Sequence, residues 1–101
     1  MAQRASGYRL SRLALADLDG IYAYTCEHWS PQQAQRYYAE LIASFEALAT
    51  GDRQGRDAQL GNDVLKVAVG AHVAFYRVTD AGVDIVRILH RAMDFERHLP
   101  R

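Results

Sequence analysis

A small α+β fold is predicted by three features of this sequence. Two stretches between residues 11 and 49 carry apolar side chains at helical spacing, three β-branched runs follow between residues 64 and 89, and the chain has room for one core only. With 101 residues, 50% of them hydrophobic and 24% charged, residues 1–101 fit one folded domain. The predicted order is β-α-α-β-β-β, with a helical hairpin packed on one face of a small antiparallel sheet and a short C-terminal helix or turn.

The first strand is Tyr8-Arg9-Leu10. Ser11 then caps a helix running toward Glu27, in which Ala14, Leu18, Ile21, Tyr22 and Thr25 form the buried stripe and Asp17, Asp19 and Glu27 fall to the polar side. Gly20 costs about 1 kcal/mol relative to Ala in mid-helix, which predicts close packing there. In His28-Trp29-Ser30-Pro31-Gln32-Gln33, Ser30 caps the second helix, Pro31 fits its first turn and Gln33 completes a capping box. Trp29 is placed to pack on Ala34 as a hydrophobic staple. The stripe Ala34, Tyr37, Tyr38, Leu41, Phe45 and Leu48 carries this helix to about Ala49, and Gly51 ends it. The short connection makes the two helices an antiparallel hairpin.

Residues 50–63 are rich in Gly, Asp, Arg and Gln without a sustained period and read as a loop. Its glycines lack the strand-before, helix-after setting of a phosphate-binding loop. Strands are expected over 64–69, 73–78 and 83–89, joined around Gly70-Ala71 and Asp80-Ala81-Gly82 into a meander. The C-terminal helix or turn spans Asp94 to Leu99. Alternation predicts Leu65, Val67, Val69, Val73, Phe75, Ile85 and Leu89 beneath the helices. It leaves Ala68, Ala74, Tyr76, Val78, Val86 and Ile88 on the other face. One helical hairpin covers one face, so the C-terminal segment or a partner chain is expected on the second.

The net charge of +0 argues against a basic field over the whole protein, though not against local patches. The single cysteine, Cys26, has no internal partner and reads as a small hydrophobe. The absence of an N-terminal apolar run or a long apolar stretch predicts a cytoplasmic protein without membrane contact. His90, Asp94 and His98 share a spacing that would align on one helix. The apolar run to Leu89 reads as strand, however, so no metal site is expected.

The ordered set Tyr8-Arg9-Leu10-Ser11, Asp17-Leu18, Ile21-Tyr22, Tyr24-Thr25, Trp29, Gln33-Ala34, Tyr37, Leu41, Gly55-Arg56, GAHVAFYR over 70–77 and RILHRAMDFERHL over 87–99 resembles the ParE toxins of the ParE/RelE toxin–antitoxin superfamily. The resemblance implies a type II toxin that binds and poisons DNA gyrase, without a cofactor. It also implies a cognate antitoxin with a DNA-binding N-terminal region, forming a hetero-oligomer with the toxin. No sequence-specific DNA binding is expected of this chain itself. Within that frame the target surface is expected at Arg53, Arg56, His90, Arg91, Arg97 and His98. Antitoxin contacts are expected at Tyr22, Trp29, Tyr38, Tyr76 and Ile88.

Two alternatives share the fold. A RelE-like ribosome-dependent mRNA endonuclease needs a base, an acid and a cation, for which His72, His90, Arg91 and His98 are the candidates. His72 stands roughly where such relatives carry a sheet arginine, and no tyrosine follows Tyr76, which disfavours this reading. The other alternative is a non-toxic relative that only binds its antitoxin.

Overall fold

The computed structural model describes residues 7–93. Its elements are β1 (Tyr8–Leu10), α1 (Arg12–His28), α2 (Pro31–Thr50), β2 (Arg56–Asp57), β3 (Leu65–Val69), β4 (His72–Thr79) and β5 (Gly82–His90). They form a five-stranded sheet in the order β1-β5-β4-β3-β2. The helical hairpin and the three-strand meander stand where the sequence puts them. The expected helix or turn over 94–99 lies outside the described residues.

Two strand relationships differ from expectation. β1 runs parallel to β5, with Leu10 opposite Ile85, so the sheet is mixed rather than antiparallel. Inside the segment read as loop, Arg56 and Asp57 pair with Lys66 and Leu65 as β2, a two-residue edge strand too short to carry a periodic signal.

Ser11 joins sheet to helix. Its N–H donates to the Ile85 carbonyl at 2.9 Å, its hydroxyl accepts from Ala14 N–H at 2.9 Å as the α1 cap, and the same hydroxyl donates to the Val86 carbonyl at 2.7 Å. Ser30 caps α2 by accepting from Gln33 N–H at 3.0 Å, and Gly51 ends it at φ +86°. The capping box closes from one side only, because Gln33 Oε1 accepts from Arg36 instead. The expected staple does not form: Trp29 is the C-cap of α1 and 75% exposed.

The faces of the sheet are set by two local features that alternation alone does not contain. The loop Gly70-Ala71 has two residues, so Val69 pairs with His72, Val67 with Ala74 and Leu65 with Tyr76. Gly70 takes the positive φ, +58°, that such turns need at their first position. Between β4 and β5, Phe75 pairs with Arg87 and Tyr76 with Ile85, leaving Val86 as the extra residue of a bulge. Ile85 and Ile88, three residues apart, therefore both join the helix-side core.

That core contains Leu18, Leu41, Phe45, Val67, Val69, Ala74, Tyr76, Ile85 and Ile88. Val73, Phe75 and Leu89, expected beneath the helices, lie instead in a second cluster with Val64, against which Ala58 and Leu60 pack. The segment between β2 and β3 thus contributes cover to the second face, where the sequence predicts the C-terminal segment or a partner. Tyr76 and Ile88, expected as exposed antitoxin contacts, are 3% and 2% exposed. The Tyr76 hydroxyl is taken up internally, accepting from Gly55 N–H at 2.7 Å.

Candidate functional site

Three surfaces emerge from this frame. The first lies where α1 faces the C-terminal end of β5. Asp17 sits three residues after Ala14 and four before Ile21, on the buried side of α1 rather than its polar side. It accepts from Arg87 Nε at 2.8 Å, Arg87 Nη2 at 2.9 Å and Ile88 N–H at 2.9 Å. This bonding holds the Arg87 guanidinium above its ordinary pKa. The bulge at Val86 presents both donors to one carboxylate. Arg87 is thus engaged by Asp17 across the contact between α1 and β5. Asp84 is the partner of Arg9 on the neighbouring strand, at 3.2 Å.

Beside this clamp, the β4–β5 register sets His72 opposite His90, with ring centroids 5.4 Å apart and planes nearly perpendicular. The Tyr37 hydroxyl from α2 donates to the Val69 carbonyl at 2.7 Å and lies 2.7 Å from His72 Nδ1. With its one proton on Val69, that hydroxyl receives the His72 Nδ1–H, so the neutral His72 ring carries its lone pair on Nε2. His90 is oriented the other way: Nδ1 accepts from Ala92 N–H at 3.1 Å, which places the proton of the neutral ring on Nε2. One imidazole thus offers an acceptor and its neighbour a donor. Burial, followed by the charge of His90, lowers the His72 pKa, while Asp17 acts in the opposite direction. Burial likewise pushes the Tyr37 hydroxyl up.

Asp17, Arg87, His72 and His90 border a cavity of about 510 Å³ whose walls include Gly20, Tyr24, Thr25 and Met93. Gly20 is not at a close packing contact: a Cβ there would meet nothing within 4 Å. Its lack of a side chain opens the cavity instead. Arg91 follows His90 in sequence, its N–H donating to the Ala71 carbonyl at 3.0 Å and its side chain exposed. Arg97 and His98 lie outside the described residues. So do Asp94 and His98 of the weighed metal set, and among the described residues no three His, Cys, Asp or Glu side chains converge on a metal position.

The second surface is the outer side of the helical hairpin. Leu13, Leu15, Trp29 and Tyr38 are exposed on the hairpin, Tyr38 meets the half-buried Tyr22 edge to face at 5.9 Å, and Tyr24, also exposed, faces the cavity beside β5. Cys26 is half-buried. No helix among the described residues is long and apolar enough to cross a membrane.

The third surface is the β2 edge. Arg53 is tied into the fold, donating through Nη1 to Ser44 Oγ at 2.9 Å and through Nη2 to the Ala68 carbonyl. Arg56 is exposed. The residues expected to form one target surface are therefore divided. His90 lies on the helix side, because its cross-strand neighbour His72 pairs with core residue Val69. Arg56 lies on the opposite face, because its neighbour Lys66 pairs with Phe75. Three strand spacings, about 14 Å, separate β5 from β2.

The family model described as "ParE toxin of type II toxin-antitoxin system, parDE" matches residues 8–95. Toxin ParE1 of Caulobacter vibrioides is 43% identical over 93 residues, covering 91% of this chain and 96% of the relative. Toxin ParE1 of Mycobacterium tuberculosis is 38% identical over 97 residues, covering 94% and 99%. Toxin ParE of Escherichia coli is 33% identical over 96 residues, covering 93% of each. Among solved structures, a chain of the "Chromosomal ParDE TA system from P. aeruginosa" shares the fold, with a TM-score of 0.72 at 22% identity over 87% of this chain and 98% of that one. Continuous similarity from β1 through the turn after β5 leaves no element among the described residues outside the match, and the chain belongs to the ParE toxin family of type II toxin–antitoxin systems.

Proposed function

We propose that this toxin acts by binding DNA gyrase and is neutralised by a cognate antitoxin that lays an apolar segment on the α1–α2 hairpin. The observation that carries the antitoxin half is the exposure of Leu15, Trp29 and Tyr38 on the α1–α2 hairpin, with Tyr38 edge to face on Tyr22. Exposed apolar side chains grouped in this way mark binding surfaces, and aromatic anchors dominate the energetics of such contacts. The gyrase half rests on the family. The candidate target contacts are His90 and Arg91 at the end of β5, with Arg97 and His98 following in sequence. Arg53 and Arg56, at the far edge, belong to a separate surface.

A second reading, an mRNA endonuclease, is favoured by one observation. The His72–His90 pair offers a proton acceptor and a proton donor on one cavity wall, as acid–base cleavage of RNA requires. Against it, Tyr37 holds His72 half-buried, and Arg87, the guanidinium on that wall, is engaged by Asp17.

Parallel assays of the purified chain distinguish the readings: inhibition of gyrase supercoiling, and cleavage of mRNA on ribosomes. Supercoiling inhibition without cleavage is expected, and cleavage without inhibition reverses the order. Substituting His90, Arg91 and Arg97 together is expected to relieve toxicity while the antitoxin complex still forms.

A further inference from the structure

The two-residue strand β2 pairs Arg56 directly with Lys66 of β3. Like charges facing each other across a strand pair destabilise it, and a strand this short has few other contacts to offset the repulsion. The arrangement is nevertheless closely built. Gly55 admits no side chain, since a Cβ there would collide with the Lys66 carbonyl and meet the Tyr76 hydroxyl at 2.7 Å. Its N–H is held by that same hydroxyl. The backbone is thus fitted to hold Arg56 across from Lys66.

A third cation comes from Arg53, fixed by Ser44 and the Ala68 carbonyl. The three surround a cleft of about 430 Å³ in which no Asp or Glu among the described residues takes part. In a chain of net charge +0, this is a local concentration of positive charge rather than part of a general one.

From this geometry we infer that the cleft formed by Arg53, Arg56 and Lys66 is a binding site for a phosphate group. The Arg56 fork and the Lys66 ammonium, with the fixed charge of Arg53 beside them, suit the tetrahedral oxyanion of a phosphate, whether on a nucleic-acid backbone or free in solution. Its occupation would relieve the Arg56–Lys66 repulsion. An acidic peptide added as a further strand is disfavoured, because beyond β2 Arg53 already occupies the Ala68 carbonyl that such a strand would need. The inference is independent of the gyrase reading and concerns the opposite face from His90.

The test uses the purified full chain and a fluorescein-labelled 12-base-pair DNA duplex of arbitrary sequence, followed by anisotropy from about 50 to 200 mM salt. The R56Q/K66Q variant is expected to weaken binding about tenfold at 0.1 M salt, and to lower the slope of log affinity against log salt by roughly 2. The H90Q/R91Q variant is expected to bind the duplex as the parent does. Inorganic phosphate, titrated while the Gly55, Arg56 and Lys66 amide resonances are followed, identifies the source: shifts with phosphate but no duplex binding support a free phosphate ligand, and duplex binding supports a backbone. Duplex binding undiminished in R56Q/K66Q, no response to either probe, or displacement of duplex by an equal concentration of a glutamate-rich peptide overturns the inference. A matching thermal melt of R56Q/K66Q excludes loss of fold as the cause.

Discussion

Asp17 and Arg87, seventy residues apart in sequence, form a two-pronged ion pair at 2.8 and 2.9 Å that fastens α1 to β5. Both side chains are only about one-seventh exposed, at 14% and 15%, and the carboxylate also takes the Ile88 N–H. Such a pair gains from geometry and hydrogen bonding what it loses in desolvation, so removing one partner costs more than the pair itself contributes. Asp17→Ala is expected to destabilise the fold by about 2–4 kcal/mol, measured by urea unfolding. A loss under about 0.5 kcal/mol, the range of ordinary surface changes, would mean that the clamp does not hold the helix.

His72 makes stability pH-dependent. Its folded pKa is lowered by burial and by His90, opposed by Asp17, and its Nδ1 faces Tyr37. Below the ordinary imidazole value of about 6.5 the unfolded chain takes up a proton there that the folded chain resists. This contribution is therefore complete above about pH 6.5 and is lost as pH falls toward the folded value. Urea midpoints measured between about pH 5 and 7.5 are expected to fall on the acid side for the parent chain and to fall less for His72→Gln. Parallel curves would exclude His72 as the titrating group.

Gly70 combines a turn requirement with a packing one. Its φ is +58°, and a Cβ would meet the Tyr37 ring at 2.7 Å. Gly70→Ala is expected to cost about 1–3 kcal/mol and to move Tyr37 away from His72. Loss of the Tyr37 contact to the Val69 carbonyl, seen in the chemical shifts of that hairpin, checks the mechanism separately from the melting temperature.

Trp29 tests the hairpin surface. Because its side chain stands in solvent, Trp29→Ala is expected to change folding stability by less than about 0.5 kcal/mol. Together with Tyr38→Ala it is expected to weaken antitoxin binding at least about tenfold, read by calorimetric titration. Full affinity in the double variant would move the antitoxin to another face.

Much of this was legible in the residues because it is local. The Ser11 and Ser30 caps, Pro31 in the first turn, Gly51 at the end of α2 and the glycine-bearing hairpins act within four residues of themselves, and the ordered motifs place the chain among the ParE toxins. Asp17 also left a readable signal, an acidic residue at buried spacing among Ala14, Leu18 and Ile21. The exposure of Trp29 left none, since a staple depends on how the chain turns after α1.

The sequence by itself determined the helical hairpin, β1, the three-strand meander, their order, the family and the residues that bear charge. Tertiary structure decided which of them meet. Periodicity assigns a strand two faces but not which one is buried; the two-residue turn at Gly70-Ala71 and the extra residue Val86 made that choice. They turned Tyr76 and Ile88 inward, put Val73, Phe75 and Leu89 on the far face, and brought Arg87 to Asp17 and His72 to His90. The same register set Arg56 against Lys66 on the opposite face, because strand pairing fixes neighbours by position, whatever charge they carry.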